Sequence, residues 1–198
     1  ERLSSSGKQA VASSIRGLDE NSVRSMLRAL MEASAPVREA TAALLGWLGK
    51  LEHIRPPVLT LGDSDAAVTA AASQALLDID RGDAAIKALA DLLPSVDPRS
   101  RANICRFLTQ HAEVVLLRAS DAVRDRLGAV LVSALTDKNA NAAQAAAKAL
   151  SVLGDGGHHA RLEQLAQGGG QAGQLAGQVL ADLRARLGSG SPPGNVAH

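Results

Sequence analysis

Three short stretches of this chain hold residue types able to do chemistry. They are His158 and His159 in "DGGHHAR", the single Cys105 in "ANICRFL", and the glycine run 168–170 in "AQGGGQA". Paired histidines can ligate a metal, but adjacent side chains on a helix diverge, so a bare pair falls short of a metal site. A cysteine needs a neighbouring base to become a nucleophile. Cys105 stands between Ile104 and Phe107 with no base beside it and reads as a half-buried structural thiol. The glycines follow no strand, so they read as a turn between helices rather than a phosphate cradle. No GxxxxGK[ST] loop, GxSxG elbow or HExxH pair occurs. Catalysis, a metal and a cofactor all lack support, and the expectation is a protein that is not an enzyme.

The elements that would position any site must be built from an unusual alphabet. Hydrophobic residues make up 46% of the 198, yet aromatics only 1%, with Trp47 and Phe107 standing alone. That economy argues against a β-sandwich or barrel and for helices packed closely through small side chains. Charges nearly cancel, 21 basic against 20 acidic for a net +1, so no general attraction to phosphate backbones or acidic membranes follows. One cysteine excludes an internal disulfide framework and a Cys-cluster zinc site. No apolar run approaches the roughly 20 residues that span a bilayer, and no signal-peptide pattern is visible. The expectation is a soluble protein of the cytoplasm or an organelle interior. The Gly/Ser/Pro-rich residues 188–198 are expected to form a flexible tail.

Self-similarity organises the rest. Counting from Val37, a stripe falls on places one, five, nine and twelve: Val37, Thr41, Leu45 and Leu48. The same frame gives Val68, Ala72, Leu76, Ile79, then Ala142, Ala146, Leu150, Leu153, and then Ala172, Ala176, Leu180, Leu183. Weaker copies start at Gly7 and Ser100, with Ile15 and Leu108 at place nine. This is helical spacing and describes one buried face per copy. The copies predict helices near 7–18, 37–50, 68–80, 100–111, 142–154 and 172–187, at intervals of 30, 31, 32, 42 and 30 residues. Between them lie other apolar stripes: Val23 to Met31, Val58 to Leu61, Ile86 to Leu93, Val123 to Leu135 and Leu162 to Leu165. Asp and Gly turns separate the segments, so the chain reads as helix pairs in series over residues 1–187, each covering the next. The long interval adds "HAEVVLLRAS", either a third short helix or a continuation of the helix holding Phe107.

"VREATAALLGWLGK" and "AAQAAAKALSVLGD" resemble the second helix of HEAT-type repeats, where Val-Arg opens, alanines follow and Leu-Gly-x-Leu-Gly closes. Pro56 and Pro57 resemble the proline of a HEAT first helix, while "SRANICRFLTQH" lacks the glycine ending. The resemblance implies an all-α, right-handed α-solenoid of HEAT-like pairs, armadillo-like in its longer unit. It implies that Arg38 and Arg101, at place two, bridge adjacent repeats through an acidic turn residue. It also implies that the second helices line a concave face. Places three, seven and eleven would then form the partner-binding surface, with Trp47, Glu39, Gln74, Asp78, Arg106, Gln110, Gln144, Lys148 and Gln178 as its candidates.

Trp47 stands where other copies carry Gly, Asp or Gln, as an exposed or half-exposed anchor or as a filler against a helix end. The expected function is a non-catalytic scaffold, adaptor or complex subunit that binds protein. Resemblance leaves two alternatives. One is a phycobilin-lyase-like protein handling a tetrapyrrole; the other is a nucleic-acid-binding module like the alkylpurine DNA glycosylases. Net charge and scarce aromatics speak against the second. Arg99, Arg101, Arg106, Arg118, Arg124 and Arg126 form a local basic concentration, diluted by Asp97, Glu113, Asp121 and Asp125, and read as a solvated, partly paired surface. Glu1 falls just ahead of a second-type helix, so the array is expected to be capped by another chain or to be part of a longer one.

Overall fold

The computed structural model describes residues 34–49, 51–79 and 83–188, together with Asn21, Ser22, Arg24, Ser25 and Arg28. The copy expected near 7–18, every apolar residue of the Val23 to Met31 stripe and the expected tail beyond Gly188 lie outside the described residues. Among the described residues all regular structure is helical. The helices are α1 (Ala35–Leu48), α2 (Arg55–Thr60), α3 (Ala66–Ile79), α4 (Ala84–Leu92), α5 (Pro98–Gln110), α6 (Ala112–Arg118), α7 (Asp121–Ala134), α8 (Ala140–Leu153), α9 (His159–Gln167) and α10 (Gly170–Gly188). Short 3₁₀ turns, Leu51–His53 and Gly156–His158, precede α2 and α9. The fold is all-α and of the solenoid class: α1, α3, α5, α8 and α10 are the repeated second helices, with α2, α4, α7 and α9 between them and α6 added between α5 and α7.

Each of these five begins two residues ahead of the stripe's first place, for a reason that repeats. Three residues before place one stand Ser34, Asp65, Asp97, Asn139 and Gly169. Asp65 accepts from the Ala67 and Val68 amides, Asp97 from those of Arg99 and Ser100, and Asn139 from that of Ala142. These caps satisfy amide groups that a helix's first turn leaves without partners. The stripe marks where burial starts, and the cap marks where the helix starts.

The chain divides into two compact units, Glu1–Leu92 and Leu93–His198. In the first, α1 packs along α3, and α2 and α4 also pack on α3. Leu45, Val58, Val68, Ala72, Leu76 and Leu89 form the interior. Gly46 lets α1 approach so closely that a Cβ there would lie 2.6 Å from the Ala75 Cα. Gly49 takes the left-handed conformation (φ 63°) that ends α1, its amide donating to the Gly46 carbonyl at 3.2 Å. The two glycines of the Leu-Gly-x-Leu-Gly ending therefore have different roles.

In the second unit α8 lies at the centre, packed on α5, α10, α7 and α6, while α9 packs on α10. Eight of its residues are buried, six of them alanines, which suits a helix covered on several sides at short axial distance. Arg186 of α10 donates to the Val152 and Gly154 carbonyls, placing a cation over the C-terminal end of α8.

The stripe holds with three exceptions, one of them Ala172, half-buried in the first turn of α10. Val37 is 44% exposed, although Val68 and Ala142 at the same place of their helices are fully buried. His111 is half-buried and stacks on Phe107 at 4.7 Å between ring centroids. On the opposite face, Ala102 at place three is buried instead of exposed. The extra segment of the long interval is a third short helix: α5 stops at Gln110, His111 breaks the geometry, and α6 follows. Val115 of α6 points inward, and Leu117 is 86% exposed.

Candidate functional site

The arginines at place two have the bridging role expected of them. Arg38 of α1 grips Asp63, in the turn ahead of α3, with Nε and Nη2 at 2.7 and 2.9 Å. Arg101 of α5 pairs with Asp137, in the turn ahead of α8, and also donates to the Leu93 and Val96 carbonyls at 3.0 and 2.9 Å. Each aspartate stands two residues before the next cap and accepts that cap residue's amide, Asp65 at 2.9 Å and Asn139 at 2.8 Å. Arginine, turn and helix start are thereby locked together. The Arg38 hydrogen bond holds the Asp63 carboxyl below the usual carboxylate range and raises the Arg38 guanidinium. These pairs are structural clamps and leave their charges committed.

The chemistry-bearing residues noted in the sequence are likewise absorbed into structure. Cys105 is fully buried rather than half-buried, and loss of hydration pushes its thiol up to about 12, far from a working nucleophile. His158 and His159 diverge as adjacent helical residues should. His158 Nε2 sits 3.1 Å from the Asp125 carbonyl, in a notch left by Gly128, while His159 faces Glu163 at 3.4 Å. No group of three potential metal ligands occurs among the described residues. Gly169 and Gly170 have positive φ and turn the chain from α9 into α10. In the basic concentration, Arg101 and Arg124 are paired with Asp137 and Asp121.

What is not absorbed lies on places three, seven and eleven. In the second unit these side chains border two adjoining grooves. One, of about 290 Å³, runs between α5 and α8 and is lined by Arg106, Thr109, Gln110, Asn141, Gln144, Ala145 and Lys148. The other, of about 280 Å³, runs between α8 and α10 and is lined by Thr109, Gln144, Ala147, Lys148, Ser151, Val152, Leu175, Gln178 and Asp182. Five of the nine candidates (Arg106, Gln110, Gln144, Lys148 and Gln178) are thus brought together, and all five are exposed. Thr109, Gln144 and Lys148 belong to both grooves, so the surface is continuous. The sequence frame missed Asn141, just ahead of place one, and Leu175 and Ser151, which stand one place off the counted rows. Ser151 donates to Asp182 across the helices at 2.6 Å.

The other four candidates stand on α1 and α3 of the first unit. Glu39, Gln74 and Asp78 are exposed, Trp47 is half-buried, and Gln74 donates to Asp78 at 3.0 Å. A larger cleft in the second unit, of about 430 Å³, includes Arg101, Asp137, Arg126 and Ser133. Two of its charges are the clamp itself, which makes it a weaker candidate than the grooves.

No known protein family and no curated protein matches the chain. Among solved structures it is similar to an engineered protein at 20% identity and a TM-score of 0.43, over 91% of this chain and 90% of that one. It is also similar to a designed armadillo repeat protein at 18% identity and a TM-score of 0.40, over 90% and 92%. The helical-repeat class rests on the helices and clamps described above.

Proposed function

We propose that this chain is a non-catalytic scaffold of HEAT-like pairs that binds a protein partner along the outward rows of its second helices. The observation that carries the reading is the pair of grooves spanning α5, α8 and α10, whose exposed side chains other than Asp182 make no bond between helices. Lys148, Gln144, Gln110 and Gln178 take part in no hydrogen bond or ion pair that holds the fold together among the described residues. Exposed amides and a cation above an alanine floor suit an extended backbone, which needs donors and acceptors in a row. In the first unit Trp47 stands at the corresponding place of α1, and its half-exposed ring is a side chain of the type that dominates interface energetics.

Co-purification from the native source tests this. The wild type is expected to retain a partner that the Gln144→Ala/Gln178→Ala double variant loses, with circular dichroism unchanged. A partner held equally by both would overturn the proposed face. For Trp47, the partner is expected to shift or quench tryptophan fluorescence, which reports this residue alone because the chain has one Trp. Deeply buried-type emission that no bound partner changes would remove Trp47 from the surface.

A further inference from the structure

The groove linings carry more than a location, and the following rests on the binding face proposed above. The α5–α8 groove has two cations, Arg106 and Lys148, three amides, Gln110, Asn141 and Gln144, and no carboxylate. Both cations are exposed, and Lys148 has no acidic partner among the described residues; Arg106 donates to the neutral Asn103 side chain at 2.6 Å. The α8–α10 groove is different. Val152, 36% exposed, and half-buried Leu175 make an apolar wall over Ala147, and its one carboxylate, Asp182, is engaged by Ser151.

We infer that the occupant is an extended peptide segment carrying a carboxylate side chain, seated between Arg106 and Lys148, and an apolar side chain seated over Leu175 and Val152. Helix axes stand about 8–10 Å apart and an extended chain advances about 3.4 Å per residue. Side chains on one edge of such a chain recur every second residue, so the acid and the apolar residue are separated by two or four positions. The charge preference is local to the α5–α8 groove: a carboxylate there meets two cations and no like charge, and a basic side chain meets repulsion, while Asp182 stands in the neighbouring groove where the apolar side chain sits.

The test is selection of a random twelve-residue peptide library on the full chain, followed by anisotropy titration of labelled winners. Winners are expected to carry Asp or Glu two or four residues from Leu, Ile, Val or Phe. Their affinity is expected to fall roughly five- to tenfold with Lys148→Glu or Arg106→Glu, and to recover on Lys148→Glu when the peptide acid is changed to Lys. Both side chains are exposed, so melting temperatures should match the wild type. Winners without acids that still lose affinity on Gln144→Ala overturn the charge assignment and leave the binding face standing. Winners indifferent to all three substitutions, or no winners, overturn both. A fluorescent single-stranded oligonucleotide that binds with steep salt dependence and displaces the winners would overturn the peptide in favour of nucleic acid.

Discussion

Gly46 shows how small a change the packing tolerates. A methyl group there would meet the Ala75 main chain at 2.6 Å, and a main chain cannot swing aside as a side chain can. Gly46→Ala is expected to cost about 1–3 kcal/mol, read from the urea midpoint. Gly177→Ala is the matched control: its Cβ would meet nothing within 4 Å, so helix propensity alone acts and stability rises by roughly 1 kcal/mol. Leu150, 1% exposed at place nine, is expected to lose roughly 2–5 kcal/mol on replacement by alanine, through lost burial and a residual cavity. Cys105 gives a chemical readout of the same packing. At pH 8 a maleimide is expected to leave it unmodified in the native protein and to modify it promptly in denaturant; rapid native labelling would show that the α5 interior opens.

At the level of elements, the clamps and caps make helix starts sensitive to acid. Asp63 and Asp97 are both held below the ordinary carboxylate range, the first chiefly by the Arg38 hydrogen bond and the second chiefly by the Ser100 hydroxyl at 2.5 Å. A lowered folded value means that the unfolded chain binds protons first. Their stabilisation is therefore complete above the unfolded value, near pH 4, and is lost as pH falls through the lower folded values. Urea midpoints are expected to drop below about pH 4, and to drop less in Asp63→Asn, which has already lost the pH-dependent pair.

Much of this was legible. The leucine at place nine marks the buried stripe, and the HEAT resemblance of the arginine at place two implies the clamp. The caps were equally visible, as Ser, Asp, Asp and Asn at one fixed offset, but the apolar frame begins later and passes over them. The α5–α6 break was not legible, since Leu108 and Val115 continue an apolar spacing across His111, and only backbone geometry separates the two helices.

At the scale of the whole molecule, the formal charge of +1 and the paired arginines leave little general pull on phosphate backbones. Affinity for random duplex DNA is expected to be no tighter than the non-specific range of about 10⁻⁴ to 10⁻⁶ M at physiological salt; tighter, salt-steep binding would contradict the scaffold reading. No helix among the described residues is long and apolar enough to cross a membrane. The rows of the candidate site could be read from the sequence because position on a helix fixes direction. Their division into a cationic groove and an apolar one could not be, because Asn141, Leu175 and Ser151 enter it only when three helices lie side by side.

The clamp also has a grain. An arginine at place two reaches a turn ahead of the following copy, so the bonded unit straddles the boundary between one copy and the next. The copies at 68, 142 and 172 carry Thr69, Ala143 and Gly173 there instead, so a cut of the chain between Arg38 and Asp63, or between Arg101 and Asp137, parts a charge from its partner, as a cut across a staple opens both leaves.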